Sequence, residues 1–335
     1  MEIGISEKLK TEFRKAKKAL TDAERIVIIS HRNPDADAVA SNLALRFCLE
    51  RSGKYVVSAS VDPVGPESLF MKKADTFVTD FNYEDFDVIV SVDCGDLKLV
   101  KFTETKPEIL SGDKPYINFD HHESNDSFGT INPVDSYACA TSFIMFQFLA
   151  FCEMPITPDI ATCLLAGIYF DTGSLMHSNT TPEVYEVAGA LLAKGADLKA
   201  VSKNLFHTTP VNRLRLWGRI LDRTYVNEDN VTISAVSSAD YQAVGATSKD
   251  TGGVIDLLNA VPGSKYCVLL SEDDKGVVKG SLRTQRDDVN LSEVASQWGG
   301  GGHPKASGFG ITGHLKPVMS WKIVNGADEG RDVEF

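Results

Sequence analysis

The sequence predicts an α/β protein: a parallel, doubly wound sheet domain followed by a smaller α+β domain. Three observations carry that expectation. Apolar, β-branched runs alternate with helical apolar spacing as far as about residue 200, the pattern of strands joined by crossover helices. The strand-like runs are continuous, as in strands buried on both faces. From Thr224 onward, short strand pairs joined by tight turns replace that alternation. The 335 residues therefore divide into a first domain at 1–200, a helical linker at 201–225 and a second, smaller domain at 226–335.

Ile5, Leu9, Phe13, Ala16 and Leu20 recur at helical spacing and give an amphipathic first helix ending before Thr21 and Asp22. Ile26 to Ile29 form the first buried strand. The polar stretch after it, with His31, Asp35 and Asp37, falls at its carboxyl end, where open α/β sheets bind ligands. The next helix starts at Ala38 and stops at Gly53. One aspartate would suffice to cap it; two aspartates and a histidine exceed a cap and suit a divalent cation. Tyr55 to Val61 is a second strand, and 62–73 is loop and short helix.

Asp87 to Asp93 is a further buried strand, leading into Cys94-Gly95-Asp96, and Pro115 to Phe119 another, ending in Asp120-His121-His122. Ala138 to Cys152 and Asp159 to Tyr169 are apolar helices, the second running into Phe170-Asp171-Thr172-Gly173. Thr181-Pro182-Glu183 opens a helix that Gly195 closes. Over 206–225, Arg213, Arg215, Arg219 and Arg223 alternate with Leu214, Leu216, Trp217, Ile220 and Leu221. That predicts a connecting helix with one apolar and one basic, solvated face.

In the second domain, Val231–Val236, Tyr266–Leu270 and Val277–Leu282 read as strands, the last two joined by a turn at 273–276. Leu291 to Trp298 reads as a helix capped by Asn290. It leads into Gly299-Gly300-Gly301-Gly302-His303-Pro304-Lys305 and a strand from Ala306 to Ile311. Consecutive glycines allow sharp turns and close ligand approach, with amides directed at an anion, so this run is expected to contact a phosphate or base. The tail at 325–330 reads as a frayed acidic end.

No stretch approaches eighteen apolar residues, and the N-terminus is acidic and amphipathic rather than basic then apolar. The expectation is a soluble cytoplasmic protein with no membrane partner. Its six cysteines form no CxxC pair and read as reduced core thiols. The net charge of −12 argues against a broad surface for long nucleic acids. It leaves room for small anionic substrates, because bound cations would neutralise a local cluster of carboxylates.

His31, Asp35, Asp37, Asp93, His121 and Asp171, with His122 adjacent, are read as loop residues at strand ends. Such a set suits two cations about 3.5–4 Å apart, an arrangement used for in-line displacement at phosphorus. HRNPDADA, VDCGD, Asp120-His121-His122 and FDTG resemble the signatures of the DHH phosphoesterase superfamily, and GGGGHPKASGF resembles its associated C-terminal domain. The two-domain length resembles most the nanoRNase/pAp phosphatase group. The resemblance implies that His31, Asp35 and Asp93 hold one Mn(II), and Asp37, Asp93, His121 and Asp171 the other, with Asp93 bridging.

It further implies that His122 contacts the scissile phosphate or assists the leaving oxygen, and that Asp120 orients a neighbouring histidine. Arg283, His303 and the amides of Gly300, Gly301 and Gly302 would hold the far end of the substrate. The implied substrates are short single-stranded RNA or DNA oligonucleotides, or a nucleoside bisphosphate such as 3′-phosphoadenosine 5′-phosphate (pAp). They would be cleaved by a metal-bridging hydroxide. A cyclic or linear dinucleotide phosphodiesterase and, in another class, a catalytically silent nucleotide-binding regulator are the alternatives. The oligomeric state stays open, a homodimer included. Ala36 stands where relatives commonly carry glycine, which would strain the loop if that position needed a positive φ.

Overall fold

The computed structural model describes residues 4–273 and 275–316, together with the backbone of 321–323 and 331–333; the acidic tail at 325–330 lies outside the described residues. The chain forms two compact units, Met1–Thr208 and Thr209–Phe335.

The first unit is built on a four-stranded parallel sheet in the order β2-β1-β3-β4, with β1 at Arg25–Ser30, β2 at Tyr55–Ala59, β3 at Val88–Val92 and β4 at Tyr116–Phe119. Alternate residues of each strand enter opposite cores. Ile26, Ile28, Val90 and Phe119 join one cluster, and Val27, Ile29, Ile89 and Tyr116 the other, which is why the strands read as continuous apolar runs. The first cluster is closed by four longer helices: α1 (Glu7–Asp22), α2 (Ala36–Arg51) and, later in the chain, α5 (Thr141–Phe151) and α6 (Pro158–Asp171). The second is covered by loops and by two single turns, α3 (Leu97–Val100) and α4 (Phe102–Thr105). Helix α2 is buried on almost every side from Ala36 to Leu49, packed between the sheet and α5 and α6. Two further helices, α7 (Pro182–Ala193) and α8 (Leu198–Phe206), pack on α6. Cys48, Cys94, Cys139, Cys152, Cys163 and Cys267 are all buried free thiols. No helix among the described residues is long and apolar enough to cross a membrane.

Register brings polar residues from separate strands to one edge. Ser30 pairs with Val92 and Val92 with Phe119, so the next residue of each strand, His31, Asp93 and Asp120, leaves the same edge of the sheet.

The second unit carries a mixed sheet in the order β5-β6-β7-β8-β10-β9. Its strands are β5 (Tyr225–Val226), β6 (Val231–Val236), β7 (Tyr266–Glu272), β8 (Val277–Arg283), β9 (Gly301–His303) and β10 (Ala306–Thr312). Only β6 and β7 among these neighbours run parallel. Trp321–Ile323 and Arg331–Val333 pair as a separate two-stranded sheet. Of the stretch 201–225 that the sequence presents as a linker, α8 packs Val201 into the first unit, whereas α9 (Val211–Asp222) belongs to the second. Leu216 and Ile220 of α9 enter a core with Val236, Cys267 and Leu269, and with residues of α10 (Ser238–Val244) and α11 (Val254–Asn259).

The basic face of α9 is also partly satisfied within its own unit. Arg223 donates to both oxygens of Asp240, at 2.5 and 2.7 Å, and Arg219 adds a third bond at 3.2 Å. Asp240 is 3% exposed and also accepts from the backbone N–H and hydroxyl of Ser237. Burial works to raise its pKa, but Arg223 and Ser237 hold the carboxyl well below the usual range. A carboxyl depressed in the folded state contributes stability above its unfolded value, roughly 3.9, and loses that contribution as pH falls through the folded value. Asp240→Asn is therefore expected to destabilise the second unit by roughly 2–3 kcal/mol at neutral pH. That is less than a fully buried pair would cost, because both arginines are nearly half exposed. Hydrogen exchange of β6 and α10 amides in the intact chain would measure it, with the difference from the parent shrinking below about pH 4.

The second half of the glycine run is strand. Gly301–His303 pairs antiparallel with β10, following α12 (Leu291–Ser296), whose N-cap is Asn290. A Cβ on Gly300 would lie 2.2 Å from the Gly308 carbonyl oxygen, and one on Gly302, at φ +141°, 2.7 Å from that of Ala306. Close backbone packing thus accounts for these two glycines without a ligand.

Candidate metal centre

His31, Asp35, Asp37, Asp93, His121, His122 and Asp171 converge at the carboxyl edge of the parallel sheet. Asp35 is the N-cap of α2. One carboxylate oxygen accepts from the N–H groups of Asp37 and Ala38 at 3.0 Å each, while the other lies 3.8 Å from His31 Nε2. Capping and facing the centre are not exclusive, because a carboxylate has two oxygens. Asp37 lies in the first turn of α2. Its carboxylate accepts from the N–H groups of Thr141 (2.7 Å) and Ser142 (3.0 Å), filling the role of the side-chain cap that Ala140 cannot supply to α5. Between them Ala36 is an ordinary first-turn helical residue and is not among the positive-φ positions, so its methyl group causes no strain of that kind.

Asp93 does take the left-handed conformation, φ +60°, which aspartate tolerates better than most residues. The turn leaves its carboxylate buried in the centre. Oδ2 is 3.6 Å from His31 Nε2, Oδ1 is 3.6 Å from His121 Nε2, and the Thr141 hydroxyl donates to Oδ1 at 2.9 Å. Asp171, which the sequence pattern places with the strand ends, is instead the last residue of α6, which delivers it 3.2 Å from His121 Nε2. A helix can serve because α6 packs along α2 and α5 and ends at the same edge as the strands.

The imidazoles are oriented from behind. His31 Nδ1 faces the Arg32 carbonyl at 2.7 Å and His121 Nδ1 the Ala138 carbonyl at 3.3 Å. A carbonyl only accepts, so each Nδ1 carries a proton, which leaves Nε2 as the nitrogen that a bound cation would take in exchange for a proton. His122 Nδ1 lies 2.8 Å from Asp120, whose other oxygen accepts from Asn125 at 2.6 Å.

Crowding sets the electrostatics. Burial and the neighbouring carboxylates push the pKa values of Asp37 and Asp171 well up. Burial acts the same way on Asp93, but His31, His121 and His122 outweigh it and hold Asp93 down at about 2. Burial lowers the pKa of His31, yet the neighbouring carboxylates of Asp35 and Asp93 raise it to about 11; Asp120 does the same for His122, to about 9. Such a cluster of carboxylates with nitrogen donors fits a divalent cation, which would relieve the repulsion. Three sets of donor atoms lie within 4.8 Å of one another: His31, Asp35 and Asp93; Asp37, His121 and Asp171; and Asp93, His121 and His122.

Asn125, Thr141 and Ser142 carry no signal in the sequence that singles them out, and Gly167, beside Ser142 and Asp37, carries only a weak one. Asn125 donates to both Asp120 and the Cys94 carbonyl, tying the ends of β4 and β3 together, and no spacing pattern announces it. Asn125→Ala is expected to lower kcat by 10–100-fold, the usual cost of releasing a residue that orients a metal-site group, and to cost about 1–3 kcal/mol of stability, because the buried Asp120 carboxylate loses a donor. Steady-state kinetics together with a thermal melt would check it. Gly167 is detectable in principle as an isolated glycine in an apolar helix, a sign of close packing.

In the second unit, the antiparallel register puts Arg283, Ala306 and His303 in one row across β8, β10 and β9. His303 is exposed, and its Nδ1 accepts from the Lys305 N–H at 3.2 Å.

The chain belongs to the DHH family of phosphoesterases: the DHH family N-terminal domain matches residues 25–168, and the DHHA1 domain matches residues 228–320. The bifunctional oligoribonuclease and PAP phosphatase NrnA of Thermus thermophilus is 31% identical, over 86% of this chain and 84% of its own length. The protein of the same name from Bacillus subtilis is 25% identical over 86% and 90%. The crystal structure of an exopolyphosphatase-related protein from Bacteroides fragilis superposes with a TM-score of 0.82 at 25% identity, covering 91% of this chain and 92% of that one.

Proposed function

We propose that this chain is a divalent-cation-dependent phosphohydrolase of short oligonucleotides and of pAp. The observation that carries the reading is the position of Asp93, whose carboxylate belongs to two of the three donor sets. The names of the Thermus and Bacillus relatives support the substrate class. In this reading His31, Asp35 and Asp93 hold one cation, and Asp37, Asp93, His121 and Asp171 the other, both Mn(II). When bound, such a pair stabilises the charge that develops on the transferring phosphoryl group.

The protein's own contribution is positioning. His122, held at Nδ1 by Asp120 and through it by Asn125, keeps Nε2 for the phosphate or the leaving oxygen. In the second unit, Arg283 and His303, with the amides of Gly301 and Gly302, are proposed to contact substrate; the Gly300 N–H already donates to the Ala295 carbonyl at 2.9 Å. Gly301 favours a part in this: nothing lies within 4 Å of the place a Cβ would take, so packing does not explain its glycine.

The test is release of phosphate and mononucleotide by the purified protein with Mn(II). The substrates would be pAp, 5′-labelled RNAs of two to twenty-four nucleotides, pyrophosphate and cyclic dinucleotides. Preferential turnover of pAp and the shortest RNAs is expected. Turnover of pyrophosphate alone would overturn the substrate assignment.

A further inference from the structure

Tyr137 is 95% exposed and Met176 is 80% exposed, and each stands in a loop tied by backbone hydrogen bonds to residues at or beside the candidate centre. Single exposed apolar side chains are common and need no explanation. These two differ in how firmly their backbones are tied to the site. The Asp135 N–H donates to the Asp120 carbonyl at 3.1 Å, and the Asp135 carboxylate accepts from the Tyr137 N–H at 3.1 Å. The very next carbonyl, that of Ala138, faces His121 Nδ1.

On the other side, the Met176 N–H donates to the Thr172 carbonyl at 2.9 Å, one residue beyond Asp171. The intervening Ser174 and Leu175 are held at φ +66° and +63°, a costly conformation for non-glycine residues, with the Tyr185 hydroxyl donating to the Leu175 carbonyl at 3.0 Å. Asn179 joins the two loops, donating to the Cys139 carbonyl at 3.3 Å and to the Asp171 carbonyl at 3.2 Å. A phenol ring and a thioether are thus presented to solvent from two stapled loops, one carrying a backbone partner of His121 and the other starting just after Asp171.

We propose that Tyr137, assisted by Met176, is the platform on which the nucleobase next to the reacting phosphate stacks, so that the site selects nucleotides over phosphate esters that lack a base. This deepens the proposed function and rests on it for the identity of the substrate. Aromatic stacking suits a site that accepts different bases, since every base offers a π-face, and a rigid backbone lowers the ordering cost of binding. A thioether adds a soft, adaptable contact.

The test is calorimetric titration of the full-length, Mn(II)-loaded protein with AMP and with ribose 5-phosphate, which differ only by the base. Tyr137→Ala is expected to weaken AMP binding about tenfold, the factor that roughly 1.4 kcal/mol of lost stacking corresponds to. Ribose 5-phosphate binding should change less than twofold, and Tyr137→Phe should bind AMP as the parent does. Equal weakening of both ligands, no weakening of either, or no adenine-dependent binding by the parent would overturn the platform. Hydrolysis of pAp, measured in parallel, separates the two ideas. Adenine-dependent binding that needs Tyr137 without turnover sinks the proposed function alone, and turnover indifferent to Tyr137 sinks the platform alone.

Discussion

Asp93→Asn should lower turnover by roughly a thousandfold or more while leaving the fold intact. The carboxylate faces His31 on one side and His121 on the other, so its loss weakens two donor sets at once. Asparagine keeps the volume, tolerates φ +60° and retains an oxygen for the Thr141 hydroxyl, so the turn after β3 survives. Two readouts separate site from scaffold. The melt of the cation-free variant should stay near that of the parent. The stabilisation by Mn(II), about 2.7 kcal/mol at a hundredfold excess over Kd, should largely vanish. A variant that keeps a tenth of the activity, or the full cation-dependent rise in Tm, would sink the role given to Asp93.

Gly167→Ala tests the packing behind the centre. By intrinsic helix propensity, alanine within α6 would be favoured by roughly 1 kcal/mol. Here its Cβ would lie 2.1 Å from Ser142 Oγ and 2.2 Å from Asp37 Oδ1, and Asp37 is held in turn by the first amides of α5. Neither neighbour is the free end of a flexible chain, so the expected result is a net loss of roughly 1–3 kcal/mol. Displacing Asp37 by even an ångström should also cost up to about a hundredfold in kcat. Gly189→Ala in α7 is the control, since nothing lies within 4 Å of its Cβ position; it should be neutral or slightly stabilising. If both alanines behave alike, the close approach at Gly167 does not matter.

The local signals in the sequence are of two kinds, and both are present in the fold. Continuous apolar runs identify strands buried on two faces, and β1, β3 and β4 are such strands. Polar residues placed directly after those runs fall together because parallel strands share a carboxyl edge, so His31, Asp93 and Asp120 meet through register alone. Local periodicity carries no such information about partners distant in the chain. It runs an apolar helix into Asp171 and allows one aspartate to cap α2, but it does not show that α6 ends at the strand edge or that Asp37 caps the distant α5.

The arginine-bearing stretch looks like a solvated connector because its pattern states only that one face is apolar. Which core covers that face depends on Leu216 and Ile220 meeting Val236 and Cys267 in the second unit. The glycine run likewise reads as freedom in sequence, whereas in three dimensions two of its members are closely packed, Gly300 against Gly308 and Gly302 against Ala306. What the sequence by itself determined, then, is the order of elements and the chemistry placed at the strand ends, since both derive from side-chain period and residue type. What only the tertiary structure decided is which distant groups hold that chemistry in place. Thr141 and Ser142 reach Asp37 across more than a hundred residues, and Gly167 leaves room for its carboxylate, because close packing brings α2, α5 and α6 together.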